Sequence, residues 1–143
     1  KEANRAIARG FRRHTIERTY QVVVLGDPGA GGRWEEPIDG KTALTHYTRI
    51  TTDGMMSVLD VQLQTGRTHQ IRRHAATSGH PVIGDRRHGG AAGRLWPRLA
   101  LHASGLTLDH PVKGPRIEAC SPIPEDLQAL WSQVDPSRYS PAL

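Results

Sequence analysis

A single cysteine, Cys120, stands among 143 residues. No disulfide can close within the chain, and a reducing, cytoplasmic setting is expected. Cys120 has no Cys-x-x-Cys partner and no adjacent base, so it reads as a small packing residue rather than a nucleophile. No run of 18 apolar residues occurs, which excludes a membrane-spanning helix and a membrane partner of that kind. The opening residues, Lys1-Glu2-Ala3-Asn4-Arg5, carry no apolar stretch of the kind a secretory signal needs. They also lack an initiator methionine, and the chain is expected to be a piece of a longer protein. Internal repeats and low-complexity segments are absent. Acids are outnumbered, with 14 Asp and Glu against 19 Lys and Arg, for a net charge of +5 and a pI near 10. Such a balance favours nucleic acid or another anionic partner. The length fits one domain with a modest core.

Several chemistries are missing as well. Gly29, Gly31 and Gly32 do not form a dinucleotide fingerprint. Thr65-Gly66-Arg67-Thr68 lacks the length and the lysine of a Walker loop. No cofactor is expected. Ser78 and Ser104 lie near glycines, but neither sits in Gly-x-Ser-x-Gly. His69 and His74 are five apart with no glutamate between them, and His80, His88, His102 and His110 are scattered, so no metal site is expected.

What remains is concentrated. From Gln64 the chain reads Gln-Thr-Gly-Arg-Thr-His-Gln-Ile-Arg-Arg-His to His74, then Gly79-His80-Pro81-Val82-Ile83-Gly84-Asp85. Between Arg67 and His88 lie five arginines, four histidines and one acid, Asp85. That density of cations at turns of fixed geometry suggests a polyanion site.

The surrounding elements can be read from period and punctuation. Ala3, Ile7 and Phe11 recur every four residues among arginines, as on a basic amphipathic helix. Tyr20 to Leu25 is a strand ending at Gly26-Asp27-Pro28-Gly29, and residues 30–41 read as a loop. A second strand spans Thr45 to Ile50. Asp53-Gly54 marks a hairpin turn into a third, in which Leu59, Val61 and Leu63 alternate as one buried face. Thr68 is placed to N-cap a helix from His69 to Thr77, with Ile71 and Ala75 inward and Gly79 at its C′ position. Ala91-Ala92-Gly93 reads as a flexible loop. Leu99 with Leu101, then Leu106 with Leu108, give two further strand-like alternations. Pro124-Glu125-Asp126 opens a last helix, striped by Leu127, Leu130, Trp131 and Val134. The order predicts an α+β fold, a mostly antiparallel mixed sheet with flanking helices, over residues 1–135, and a tail over 136–143.

One resemblance joins these features. Leu63-x-Thr65-Gly66-Arg67-x-His69-Gln70-Ile71-Arg72-x-His74, followed by Gly79-His80-Pro81-x-x-Gly84-Asp85, resembles the third signature motif of RluA-type pseudouridine synthases. The helix before Tyr20, the Lys41-x-Ala43-x-Thr45-x-Tyr47 strand entry, and Arg98 to Ala103 with His110-Pro111 as a closing hairpin agree in order. The similarity runs from Ala3 to about Leu130. Arg73-His74 with Gly84-Asp85-x-x-His88-Gly89 further resembles the branch related to tRNA pseudouridine synthase C.

The resemblance implies an isomerase that detaches uracil from its ribose and rejoins it through C5, on tRNA or rRNA, without metal or cofactor. It implies that Arg72 pairs with a nucleophilic aspartate and that Tyr20 stacks on the flipped base. Ile71, Leu101 and His69 would line the pocket, while Arg67, Arg73, Arg86 and Arg87 would contact phosphates. Read without the motif, Tyr20 is a packing residue, Asp85 bonds its own turn, and His69 braces the Thr65–Arg72 turn. Arg18 replaces the lysine usual two residues before the tyrosine. No Arg-Leu-Asp occurs, and no aspartate precedes Tyr20. The nucleophile is therefore expected upstream of this chain and the chain alone to be inactive; the alternative is a non-catalytic RNA-binding module built on the same fold.

Overall fold

The computed structural model describes residues 16–109 and 116–139. The helix expected around Ala3 to Phe11, and the His110-Pro111 turn, lie outside the described residues. Six strands form one sheet: β1 (Ile16–Leu25), β2 (Gly31–Trp34), β3 (Thr45–Thr52), β4 (Met56–Leu63), β5 (Leu101–Asp109) and β6 (Arg116–Cys120). Their order across the sheet is β2-β3-β4-β1-β5-β6, and every ladder is antiparallel. Helix α1 spans Gln70–Thr77, α2 Glu125–Val134 and α3 Pro136–Tyr139, with a 3₁₀ turn at Gly90–Arg94.

β1 lies between β4 and β5, and Val22, Val23 and Val24 are all fully buried. Consecutive buried residues on a strand mean that both faces are covered, which is why this segment is a continuous apolar run rather than an alternation. Register separates the faces. Arg18, Tyr20 and Val22 stand opposite Leu63, Val61 and Leu59 on one side, and Gln21 stands opposite Asp60 on the other. Trp131 of α2 donates its indole N–H to Gln21 Oε1 at 3.1 Å, so α2 covers the second face. Its stripe of Leu127, Leu130, Trp131 and Val134 is buried as the spacing demands. The first face receives α1.

The structure revises four local expectations. Residues 31–34 form a strand rather than loop, because Trp34 stacks on Tyr47 of β3 with ring centroids 4.6 Å apart. Residues 90–94 form a 3₁₀ turn with Ala92 and Gly93 buried, not a flexible loop. The alternations at Leu99/Leu101 and Leu106/Leu108 are not two strands. Residues 101–109 are one strand, bent where Thr19 pairs with Gly105 and Tyr20 with Ala103, leaving Ser104 as the extra residue. Its hairpin partner is β6. Finally, residues 136–139 form a helical turn, with Tyr139 packed against the core.

Candidate active site

The Gln64–His74 motif crosses from the end of β4 into α1. Thr68 does not cap the helix. His69 occupies the N-cap position in the left-handed region, φ 53 and ψ 35, and makes no side-chain cap. The brace assigned to His69 belongs instead to Gln70, which is 2% exposed. Its Oε1 accepts the Thr65 hydroxyl at 2.6 Å and the Arg67 N–H at 3.1 Å. Its Nε2 donates to Leu44 O and Thr45 Oγ1, both at 2.9 Å. The chain of bonds continues to His74, whose Nδ1 lies 2.8 Å from Thr45 Oγ1 and whose Nε2 lies 2.7 Å from Glu36 O. A carbonyl only accepts, so Nε2 carries the proton and Nδ1 accepts from the threonine. Every polar group of this buried network is satisfied, which fixes the motif against β3. Its cue in the sequence is a glutamine and a histidine four apart, a helical spacing that puts both on the face toward the sheet.

The second turn is stitched to the sheet. Leu25 N donates to Pro81 O and Ile83 N to Val23 O, both at 2.9 Å. Gly84 follows at φ +79, where a Cβ would fall 1.9 Å from Arg98 O. Only glycine fits, and the next residue, Asp85, is thereby carried under α1. Asp85 is 1% exposed. Its Oδ2 accepts Arg72 Nε at 3.0 Å and its Oδ1 accepts Arg72 Nη2 at 2.8 Å. Oδ1 also accepts the N–H groups of Arg87 and His88, at 3.1 and 3.0 Å. Asp85 thus bonds its own turn and, beyond that, clamps Arg72. Burial works against its charge, but the guanidinium and the two N–H groups outweigh burial and hold the carboxyl below its ordinary value. The same contact stabilises the charge on Arg72. Arg72 therefore has a carboxylate partner within this chain, on its Nε/Nη2 edge. Its Nη1 has no hydrogen-bond partner among the described residues.

Between the first turn with its helix and the first face of the sheet lies a pocket of about 260 Å³. Tyr20, Ile71 and Leu101 line it with Arg72, His69 and Arg67, so six of the residues singled out by sequence meet there. Leu63, Leu99 and Arg18 complete the walls. Arg18 was passed over as a neutral exchange; its Nη2 donates to Thr65 O at 3.3 Å. The bulge at Ser104 lies beside Tyr20, and such an extra residue re-aims neighbouring side chains. No hydrogen bond engages the Tyr20 hydroxyl among the described residues. None of the described lining residues is acidic.

His69 also meets His88, which sequence reading did not place here. Nδ1 of the first lies 3.2 Å from Nε2 of the second, with the rings edge to face. Burial, with smaller pushes from Arg72, His69 and Arg87, lowers the His88 pKa despite the nearby Asp85.

The arginines assigned to phosphate separate into two groups. Arg73, expected at phosphate, is paired with Asp39 through both carboxylate oxygens, at 3.0 and 3.1 Å, at the exposed surface. Arg67 lines the pocket and spends its Nε on Thr42 O at 2.8 Å. Arg86 and Arg87 are exposed, and their guanidinium groups have no partner among the described residues.

The pocket thus joins an aromatic and several aliphatic side chains to a guanidinium held by a carboxylate, on the antiparallel sheet of an α+β domain. Comparison with known proteins gives the family. The model of the RNA pseudouridylate synthases matches residues 1–77, and the chain belongs to that family. An uncharacterized RNA pseudouridine synthase of Chloroflexus aurantiacus is 36% identical over 148 residues, spanning 93% of this chain and 47% of that protein. Ribosomal large subunit pseudouridine synthase D of Escherichia coli K12 is 35% identical over 155 residues, 90% of this chain and 48% of its own length. The structure of human RNA pseudouridylate synthase domain containing 1 superposes with a TM-score of 0.70 at 25% identity, covering 87% of this chain and 61% of that one. The chain spans about half the length of the curated relatives it matches. No helix among the described residues is long and apolar enough to cross a membrane.

Proposed function

We propose that this chain supplies the base-binding part of the catalytic centre of a cytoplasmic RNA pseudouridine synthase. The observation that carries the reading is the convergence of Tyr20, Ile71, Leu101 and clamped Arg72 on one pocket. The reaction breaks the N1–C1′ bond of uridine, forms a C5–C1′ bond, and moves the C5 proton off the ring to solvent while N1 takes up a proton. It is an isomerisation and calls for no redox partner or metal. The uridine must first leave its stack, at a cost of a few kcal/mol, and the apolar slot between Tyr20, Ile71 and Leu101 receives it. Arg72 presents Nη1 to a carboxylate nucleophile contributed from outside the described pocket, and Asp85 holds the guanidinium plane from behind. Such a charge-assisted contact keeps a carboxylate ionised and oriented. Arg67, Arg86 and Arg87 meet the RNA backbone. Large-subunit rRNA is the first substrate to try, since relatives carry that name, and tRNA is the second.

The test is tritium release from RNA tritiated at uridine C5, using the full-length natural protein. Turnover by the wild type and its loss in Arg72→Ala are expected; normal turnover in Arg72→Ala would sink the assignment. The absence of a carboxylate among the described lining residues favours one second reading, a non-catalytic RNA-binding module. RNA binding by the full-length protein with no tritium release would select it.

A further inference from the structure

Almost every arginine whose side chain is described has its charge or its N–H groups engaged: Arg33 by Glu35, Arg49 by Asp27, Arg72 by Asp85, Arg73 by Asp39, Arg98 by Asp126, Arg67 by a carbonyl. Three guanidinium groups without a partner among the described residues, those of Arg86, Arg87 and Arg94, fall in one short segment of chain. Two of them, Arg86 and Arg94, share a cavity of about 470 Å³ that Gly90 and Gly93 also line. None of its described lining residues is acidic.

The backbone brings these two charges together. Residues 90–94 curl back as a 3₁₀ turn, and a Cβ on Gly93 would lie 2.8 Å from both Arg86 Cα and Asp85 O. Glycine at 93 lets the turn press against Arg86, so two like charges eight residues apart face one hollow. Like charges without a counter-charge repel, and an anion seated between them removes that repulsion. Glycine walls also leave the hollow free of side chains that would exclude a bulky tetrahedral group. Arg86, on the wall of the hollow, directly follows the carboxylate that clamps Arg72.

We propose that Arg86 and Arg94 form a phosphate subsite that holds a backbone phosphodiester of the RNA strand beside the uridine pocket. The class of ligand comes from the cavity; its source in RNA rests on the function proposed above. Arg94 then serves binding and register rather than the chemical step.

The experiment is RNA binding by the full-length protein from 50 to 200 mM salt, for wild type, Arg94→Ala, Arg94→Lys, the double variant Arg86→Ala/Arg94→Ala, and Arg33→Ala as a surface control. Each phosphate contact to single-stranded RNA contributes about 0.7 to the slope of log affinity against log salt. Arg94→Ala should flatten the slope by about 0.7 by breaking the shared contact, and the double variant by no more than that, because both arginines hold one phosphate, whereas Arg94→Lys and Arg33→Ala keep the wild-type slope. A wild-type slope in Arg94→Ala, with the wild type binding RNA, would overturn the subsite alone. Calorimetric titration with inorganic phosphate separates the sources: heat lost in Arg94→Ala while RNA slopes stay unchanged would assign the hollow to a free anion and overturn the RNA assignment. Failure of the wild type to bind any RNA would instead remove the function on which the subsite depends.

Discussion

Replacing Asp85 with asparagine tests the clamp on Arg72. The carboxylate accepts four hydrogen bonds, two from the guanidinium and two from backbone N–H groups, and its side chain is fully buried while that of Arg72 is 18% exposed. Asparagine keeps the volume but has one acceptor oxygen. If that oxygen stays on the Arg87 and His88 N–H groups, the amide nitrogen points N–H groups at the N–H of Arg72. If it turns to Arg72, the backbone donors lose their acceptor. Either way a partly buried cation loses its counter-charge, which costs up to about 3–5 kcal/mol. Against a total stability of roughly 5–15 kcal/mol that is a large share. Urea unfolding of the full-length protein measures it. The pH dependence gives an independent check. The folded pKa of Asp85 lies below its ordinary 3.8, so the unfolded chain binds the proton more readily and the contribution is present above about pH 3.8. It is lost as pH falls through the folded value, and Asp85→Asn should abolish that part of the acid slope. A loss under 1 kcal/mol, with the wild-type acid slope intact, would refute the clamp.

Two further outcomes follow from the same network. Gln70→Ala takes the acceptor from the Thr65 hydroxyl and the Arg67 N–H, while Thr45 keeps His74 and the Leu44 carbonyl keeps the Gln64 N–H, at about 1–3 kcal/mol for each stranded group that stays dry; unfolding should show a loss above 2 kcal/mol, whereas a change near zero would mean that water fills the gap. Burial lowers the His88 pKa, so the unfolded state takes up the proton first as pH drops below about 6.5 and stability falls with it. His88→Gln should flatten the stability profile below about pH 6.5; an unchanged profile would show that His88 is not the group responsible.

Much of the sheet was legible because its physics is local. The β-branched run at Val22–Val24, the Asp53-Gly54 turn and the Leu127–Val134 stripe each declare their element through spacing and turn chemistry. The short strand β2 was not, since Gly31-Gly32-Arg33 carries no strand signal and pairs only because β3 and the Trp34–Tyr47 stack are there. The 3₁₀ turn at 90–94 was hidden for the same reason, its buried alanine and glycine having meaning only against Arg86. Thr68 looked like a cap because Thr is a good one, yet the Gln70 N–H that such a cap would accept goes to Arg67 O at 3.1 Å.

The sequence by itself determined the residue types of the site: an aromatic, two aliphatics and an arginine within a motif specific enough to place the family. Tertiary structure alone decided how those residues are held. Hydrogen bonds between residues 13 and more positions apart turn Asp85 into the anchor of Arg72, Gln70 into the brace, and His88 into the neighbour of His69. Partners so distant in sequence leave no periodicity, because their pairing depends on where the sheet puts two turns rather than on either turn alone.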